Sequence, residues 1–405
     1  MKPRGSPLRL VFTVLALWLA FHPSLSESNQ GRRAAARRAL DAILNEEIPV
    51  AHSLFDSLRK AEPDRPEGYL GRAMAYWEET LILEDTRRHD DEIEELLEKA
   101  IEVSERSVDK DGETSEMLFW LGSAYGLRSS VQMMRGNVFG GIVDGISGRD
   151  YLQEALDKDS SNIDARFGIG LSDYIIAKKP RLMRTVSRLF SLPSGDAEGG
   201  IRQLEMVAAD GVFCQKHAIS SRAFIELYYE KNYPEARRRF GNLMLRYPNS
   251  LDYRLRYLDS IFALTVKGSV EFYQALVDSA RSARSESAQR ELVLHPWIRT
   301  KLDFIEGYGE YHLGNQEASR RLMKKYLRDW NKKSWLNGLS ELMLGKLADL
   351  RGDRKAAIDY YRRARKRENV WGVKAEAEKY LKQPFDGTEP TRRPVDKVRR
   401  YPQRP

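Results

Sequence analysis

The residues Leu344-Gly345, Gly352, Ala357, Tyr361 and Ala364 constrain this chain more than any other feature. A large apolar residue is followed by a small one, a turn marked by glycine comes next, and a second apolar face then carries Ala, an aromatic and Ala at spacings of four and three. Those spacings place the three residues on one side of a helix. The small residue lets the neighbouring helix approach closely. The unit is therefore a helical hairpin that cannot bury its own apolar face. Hairpins of this kind, recurring at a period of roughly 34 residues, bury each other by stacking.

Weaker copies run along most of the chain. Gly122 stands in LFWLGSAYG, and Gly170 in ARFGIGLSDY after the closing DKDSSN. Ala236, Phe240 and Pro248 have the spacing of a second helix, as do Ala51, Phe55 and Pro63, with Leu70-Gly71 opening the helix after them. Gly307, Gly314 and Ala318 mark a further unit, whose turn reads as one residue short. Hydrophobic residues make up 41% and charged residues 31% of 405, which suits a soluble helical protein. Repeat arithmetic at roughly 20 residues per helix and turn predicts about 14–18 helices.

The pattern resembles the tetratricopeptide repeat (TPR) superfamily over about residues 33–382. The resemblance implies an all-α, right-handed superhelical solenoid of TPR-like helical hairpins. Glu341 departs from it, standing where the motif prefers a large apolar residue, and the stretch from Ala100 to Leu121 is longer than the motif. A narrower likeness rests on Gly168-x-Gly170, Pro180, Pro193-Ser-Gly195-Asp196 and Gly200-Ile201. These are similar to a signature of the TPR family of mitochondrial outer-membrane inclusion-clearance proteins and their bacterial relatives. That likeness implies an adaptor at a membrane, with no catalytic residues to carry over.

The organisation follows. Residues 1–26 read as a signal peptide: Lys2, Arg4 and Arg9 precede the apolar run 10–21, too short to span a bilayer. This predicts a secreted or periplasmic protein after cleavage; the alternatives are an anchor left uncleaved and an organelle transit peptide, since GRRAAARRAL at 31–40 is rich in Arg and Ala. Residues 27–135 and 201–382 hold TPR-like repeats, separated by a Gly-rich irregular insert at 136–200. Five glycines fall between 136 and 148. They suit either a binding loop or hinge, or tight packing of a short helix. After Pro180, Leu182, Met183, Val186, Leu189 and Phe190 share one helical face, and Arg181, Arg184 and Arg188 the other. Such a basic amphipathic helix lies on an anionic membrane surface, docks on a partner, or packs on its own solenoid. Residues 383–405 contain five prolines and read as a disordered basic tail.

Charge narrows the partners. Of the net +8, three charges precede residue 27 and a net five follow residue 390, so the body between them is neutral. Only the tail carries a polyanion-binding footprint, and an exported chain is not expected to meet nucleic acid. Cys214 is the only cysteine, which excludes an intrachain disulfide and a cysteine metal cluster; it reads as a buried small hydrophobe. The six histidines show no metal-ligand spacing, the acidic run at 90–95 reads as the first turn of a helix, and no nucleophile elbow or phosphate loop is present. No catalytic residue, metal or cofactor is expected.

The concave face of a solenoid is its usual binding surface. Just over a turn past each Leu-Gly equivalent stand Tyr76, Tyr174, Tyr228 and Tyr311, with Trp77 and Tyr229 directly following two of them. Arg72 and Arg222 lie within two turns, where a guanidinium fork would hold a carboxylate. The reading is a non-catalytic scaffold that binds a protein or peptide in its groove, outside the cytoplasm. The plainer alternative for these aromatics is core packing. Alternative functions are a membrane-surface or envelope-assembly factor using residues 181–192 and the tail, and a cell-wall enzyme, for which no segment is left over to form a catalytic domain.

Overall fold

The computed structural model describes residues 27–82, 87–178, 195–289, 296–330, 334–367 and 372–388. The leader at 1–26, the amphipathic segment 181–192 and most of the basic tail lie outside them. The described residues form 17 α-helices and no strand. They fall into two compact units that meet in sequence between Ser250 and Leu251.

The first unit holds α1 (Glu27–Leu44), α2 (Ile48–Ala61), α3 (Glu67–Ile82), α4 (Asp90–Asp111), α5 (Ser115–Arg135), α6 (Val138–Lys158), α7 (Ala165–Ala177), α8 (Ala197–Asp210), α9 (Gln215–Ile225) and α10 (Tyr233–Arg246). The second holds α11 (Leu251–Val266), α12 (Tyr273–Gln289), α13 (Pro296–His312), α14 (Gln316–Asp329), α15 (Trp335–Leu350), α16 (Arg354–Lys366) and α17 (Val373–Lys382). Within each unit every helix packs on the next. Alternate helices also touch: α1 with α3, α3 with α5, α5 with α7, and in the second unit α13 with α15 and α15 with α17. Apart from the contacts that join the two ends of the first unit, nearest and next-nearest contact along the chain is the packing of stacked helical hairpins in an all-α solenoid.

The small-to-large pairs seat the hairpins. A methyl group placed on Gly345 would lie 2.5 Å from the Tyr361 ring, and one on Gly307 would lie 3.0 Å from Leu322. Gly71 differs in direction: its partner is Phe55 of the preceding helix, 2.0 Å from where a methyl group would stand. The turn after α13 is not one residue short. Gly307 and Gly345 are each followed seven residues on by a left-handed glycine, Gly314 and Gly352. Five residues further, Ser319 corresponds to Ala357, so Ser319 and not Ala318 faces the core. The step between these two hairpins is 38 residues, longer than the 34 of a strict TPR.

The glycine run is regular helix. Gly136 ends α5 in the left-handed region, Asn137 caps α6, and the remaining glycines line the face of α6 that meets α5. A methyl group on Gly148 would lie 2.8 Å from the Gly122 carbonyl oxygen. The backbones are close enough for Ser129 Oγ to donate to the Gly141 carbonyl at 2.5 Å. Asp144, buried at this interface, accepts from Arg128 at 2.7 and 2.8 Å and from Gln132 at 2.7 Å. The excess length between Ala100 and Leu121 is also helix, since α4 runs for 22 residues before Thr114 caps α5. Its first turn carries Asp90, Asp91 and Glu92, where carboxylates suit the helix dipole. Asp196 caps α8 by accepting from Gly199 N–H at 2.9 Å.

The first unit closes on itself. Asp41 of α1 pairs with Lys216 of α9 and accepts from the Tyr247 hydroxyl. Asn45 Oδ1 accepts from Asn249 N–H at 2.9 Å, Glu47 from Asn249 Nδ2 at 2.8 Å, and Glu46 from Ser250 Oγ at 3.0 Å. Residues 175 to 206 positions apart in sequence therefore meet. Asp164 fastens the same end: it accepts backbone N–H groups from Val212, Phe213 and Cys214 at 3.1, 3.2 and 2.7 Å. Cys214 is buried.

In the second unit, buried acids on α13 and α15 replace part of the apolar seam. Asp303, Glu306 and Glu310 meet Arg281 and Arg284 of α12 and Lys325 of α14. Glu341, the departure from the motif, is held by Arg367 at 2.9 and 3.1 Å. The tail starts later than 383: Phe385 is buried edge-on to Tyr380, and its N–H donates to Asp349 at 2.8 Å.

Candidate functional site

The candidate groove residues divide by burial. Trp77 and Tyr174 are 1% and 0% exposed, and Arg222 is buried as well. Arg72, Tyr76, Tyr228, Tyr229 and Tyr311 remain partly exposed. Arg181, Arg184, Arg188 and Phe190 lie outside the described residues.

Two groups assemble in the first unit. On α3, Arg72 pairs with Asp56 of α2 and donates to the Tyr76 hydroxyl at 3.2 Å. The Tyr76 ring lies between His52 and His89, with centroids 4.2 and 4.7 Å away. His89 Nε2 is 3.1 Å from Glu79. Burial, with Arg72 adding to it, holds the His52 pKa below its ordinary value. Trp77, one position on, points into the core and takes no part in this group.

The second group joins α7 to the end of α9. Tyr174 donates through its hydroxyl to Glu230 at 2.6 Å, and Lys178 pairs with the same carboxylate at 2.8 Å. Burial and then the Glu230 contact push the Tyr174 hydroxyl well above the usual range. Burial raises the Glu230 pKa, but the hydrogen bonds from Lys178 and Tyr174 outweigh it and hold the group below the ordinary carboxylate value. Tyr229 meets Tyr174 edge-on at 5.6 Å, and Tyr228 stacks on Phe224 at 6.2 Å. Arg222 donates to Glu205 at 2.6 Å and to Glu226 at 2.8 Å. The carboxylates held by Arg72 and Arg222 thus belong to the chain itself.

The backbone explains why two consecutive tyrosines stay near the surface. α9 ends in a π-helical turn, Glu226–Glu230, closed by Lys231 in the left-handed region at φ 56°. The wider turn shifts the register of the side chains after Leu227. Tyr311 belongs to the second unit, where it meets His312 edge-on at 5.0 Å; His312 stacks flat on Tyr273 at 4.3 Å.

Of the candidate residues, the fold brings together Arg72 with Tyr76, and Tyr174 with Tyr229. Sequence spacing misses His52, His89, Lys178 and Glu230. The Tyr174–Glu230 bond spans 56 positions and has no local signature. Among the described residues no group of three His, Cys, Asp or Glu side chains is placed to hold a metal ion, and no helix is long and apolar enough to cross a membrane.

No family model and no curated protein matches the chain. Among solved structures it is similar to one described as the crystal structure of the yeast Tom70, at 9% sequence identity and a TM-score of 0.35, covering 84% of this chain and 86% of that one. The fold assignment rests on the helix order and packing of this chain.

Proposed function

We propose that this protein is a non-catalytic scaffold whose helical hairpins hold a protein or peptide partner, and that it works outside the cytoplasm. The π-helical turn at Glu226–Glu230 carries the reading. It keeps Tyr228 and Tyr229 partly exposed on a rigid support, where Tyr174, Lys178 and Glu230 fix the surrounding geometry. Rigid tyrosines bring large contact area at low conformational cost, which suits a partner-binding surface. Arg72 with Tyr76, and Tyr311 in the second unit, offer further partly exposed tyrosines. The leader-like residues 1–26 support export.

Crosslinking of the full chain in its native compartment, followed by affinity capture and mass spectrometry, tests this. One dominant protein partner is expected, and it should be lost in the Tyr228→Ala/Tyr229→Ala variant while the helical circular dichroism is kept. Retention of that partner by the double variant would refute the assignment to this surface. Recovery of a cytoplasmic protein with residues 1–26 still attached would refute the compartment.

A further inference from the structure

The neutral body expected from the sequence conceals a separation of charge in the second unit. Its acids on α13 and α15 are buried, whereas α14 carries five basic residues against two acids and α16 six against one. Between these two helices, over a face of α15, lies a cavity of about 320 Å³ that opens to solvent. This is within the size range of built binding sites.

The chemistry of its wall is two-part. Leu327 of α14, Leu344 of α15 and the ring of Tyr360 on α16 supply apolar surface. Lys324, Arg328, Arg363 and Arg367 supply four cations. Glu341 engages Arg367, and lies 3.5 Å from Arg363. Arg328 is 72% exposed and, among the described residues, pairs with its neighbour Asp329 at 2.8 Å. Lys324 is exposed and has no ion pair among the described residues. Glu341 is thus shared by Arg363 and Arg367, and Asp329 answers Arg328, so four cations meet two carboxylates and the wall keeps a net charge of about +2. Arg363, exposed over the Tyr360 ring at 4.5 Å, and Lys324 line the open side.

We propose that this cleft binds an acidic segment of a partner protein, seating one apolar side chain between flanking carboxylates. Charge complementarity selects that occupant. The chain's own tail is excluded, because it is net +5 from residue 391 and would be repelled. A nucleic-acid backbone or anionic lipid surface would use the cations but leave the apolar floor empty. The inference is independent of the Tyr228–Tyr229 surface, since neither residue lines the cleft.

The test is fluorescence anisotropy of the full chain with a labelled synthetic peptide in which one leucine is flanked on each side by four glutamates. Saturable binding that weakens as salt rises is expected. Lys324→Glu/Arg363→Glu should weaken it at least tenfold, and replacing the peptide's leucine by glycine should weaken it several-fold. If circular dichroism shows the double variant unfolded, Arg328→Glu serves instead, with a several-fold loss expected. No saturable binding, unchanged affinity in the charge-reversed variant, or equal binding of a leucine-free polyglutamate peptide would each overturn the proposal. The last outcome would reduce the cleft to a diffuse positive field.

Discussion

Replacing Gly345 by alanine tests the packing rule on which the hairpin assignment stands. The new methyl group would lie 2.5, 2.7 and 3.0 Å from three atoms of the Tyr361 ring. Ordinary carbon contacts are about 3.5–4.0 Å, so the ring must retreat by about 1 Å. It has little room, being buried at 0% exposure, 5.7 Å from the Tyr380 ring and tied by its hydroxyl to Asp349 at 2.9 Å. Overpacking of this kind costs about 1–3 kcal/mol. Alanine in a helix regains about 1 kcal/mol over glycine. The net expectation is a loss of about 1 kcal/mol. In a Tyr361→Leu background the clash is gone, and the same substitution should stabilise by up to about 1 kcal/mol. Urea unfolding followed by circular dichroism measures both, reading the transition that Tyr361→Leu itself shifts. The coupling energy of the double-mutant cycle should be about 1–3 kcal/mol. Equal stabilisation by Gly345→Ala in both backgrounds would refute the reasoning.

Three other outcomes follow from the first unit and can be measured in the same way. Asp164→Ala removes the acceptor for three backbone N–H groups and should cost about 3 kcal/mol, with Asp164→Asn recovering part of it. An unchanged urea midpoint would contradict the role of Asp164. Burial lowers the pKa of His217 to about 4. The unfolded chain therefore binds the proton first as pH falls. Stability from this group is full above about pH 6.5 and is lost toward pH 4, by about 3 kcal/mol in all. His217→Leu should flatten that part of the pH profile, and an unchanged slope would sink the assignment. Asp41→Ala, which removes the Lys216 ion pair and one contact of Tyr247, should speed amide exchange in α1 before the rest of the unit if the first helix closes it.

The hairpins were legible because their requirement is local. A glycine on one helix and an aromatic sixteen residues later, as with Gly345 and Tyr361, must meet once both helices form, and the sequence displays both. The cap at Asp196 and the acidic first turn of α4 were legible for the same reason. The direction of contact was not: Gly71 packs backward on Phe55, because a small residue serves whichever neighbouring helix brings bulk to it. The glycines of α6 suited a loop as well as a packed helix until Gly122 and Gly148 were seen to face each other. Long-range polar contacts, such as Tyr174 with Glu230 and Asp41 with Lys216, obey no spacing rule. Net charge misled most. Summed over the body it is neutral, but Asp303, Glu306, Glu310 and Glu341 are buried while cations line the surface of α14 and α16. Among the candidate site residues, exposure was not readable from spacing. Trp77 directly follows Tyr76, and Tyr174 meets the Tyr229 ring, yet Trp77 and Tyr174 are buried while their neighbours stay partly exposed.

The most direct test of the scaffold reading places a photo-crosslinking residue at Tyr229 and, in a separate variant, at Leu245, which is 85% exposed on α10. Both variants are irradiated in the native compartment. The account predicts a discrete protein adduct at Tyr229 and none of that mass at Leu245. No adduct at Tyr229, or the same adducts at both positions, would contradict it.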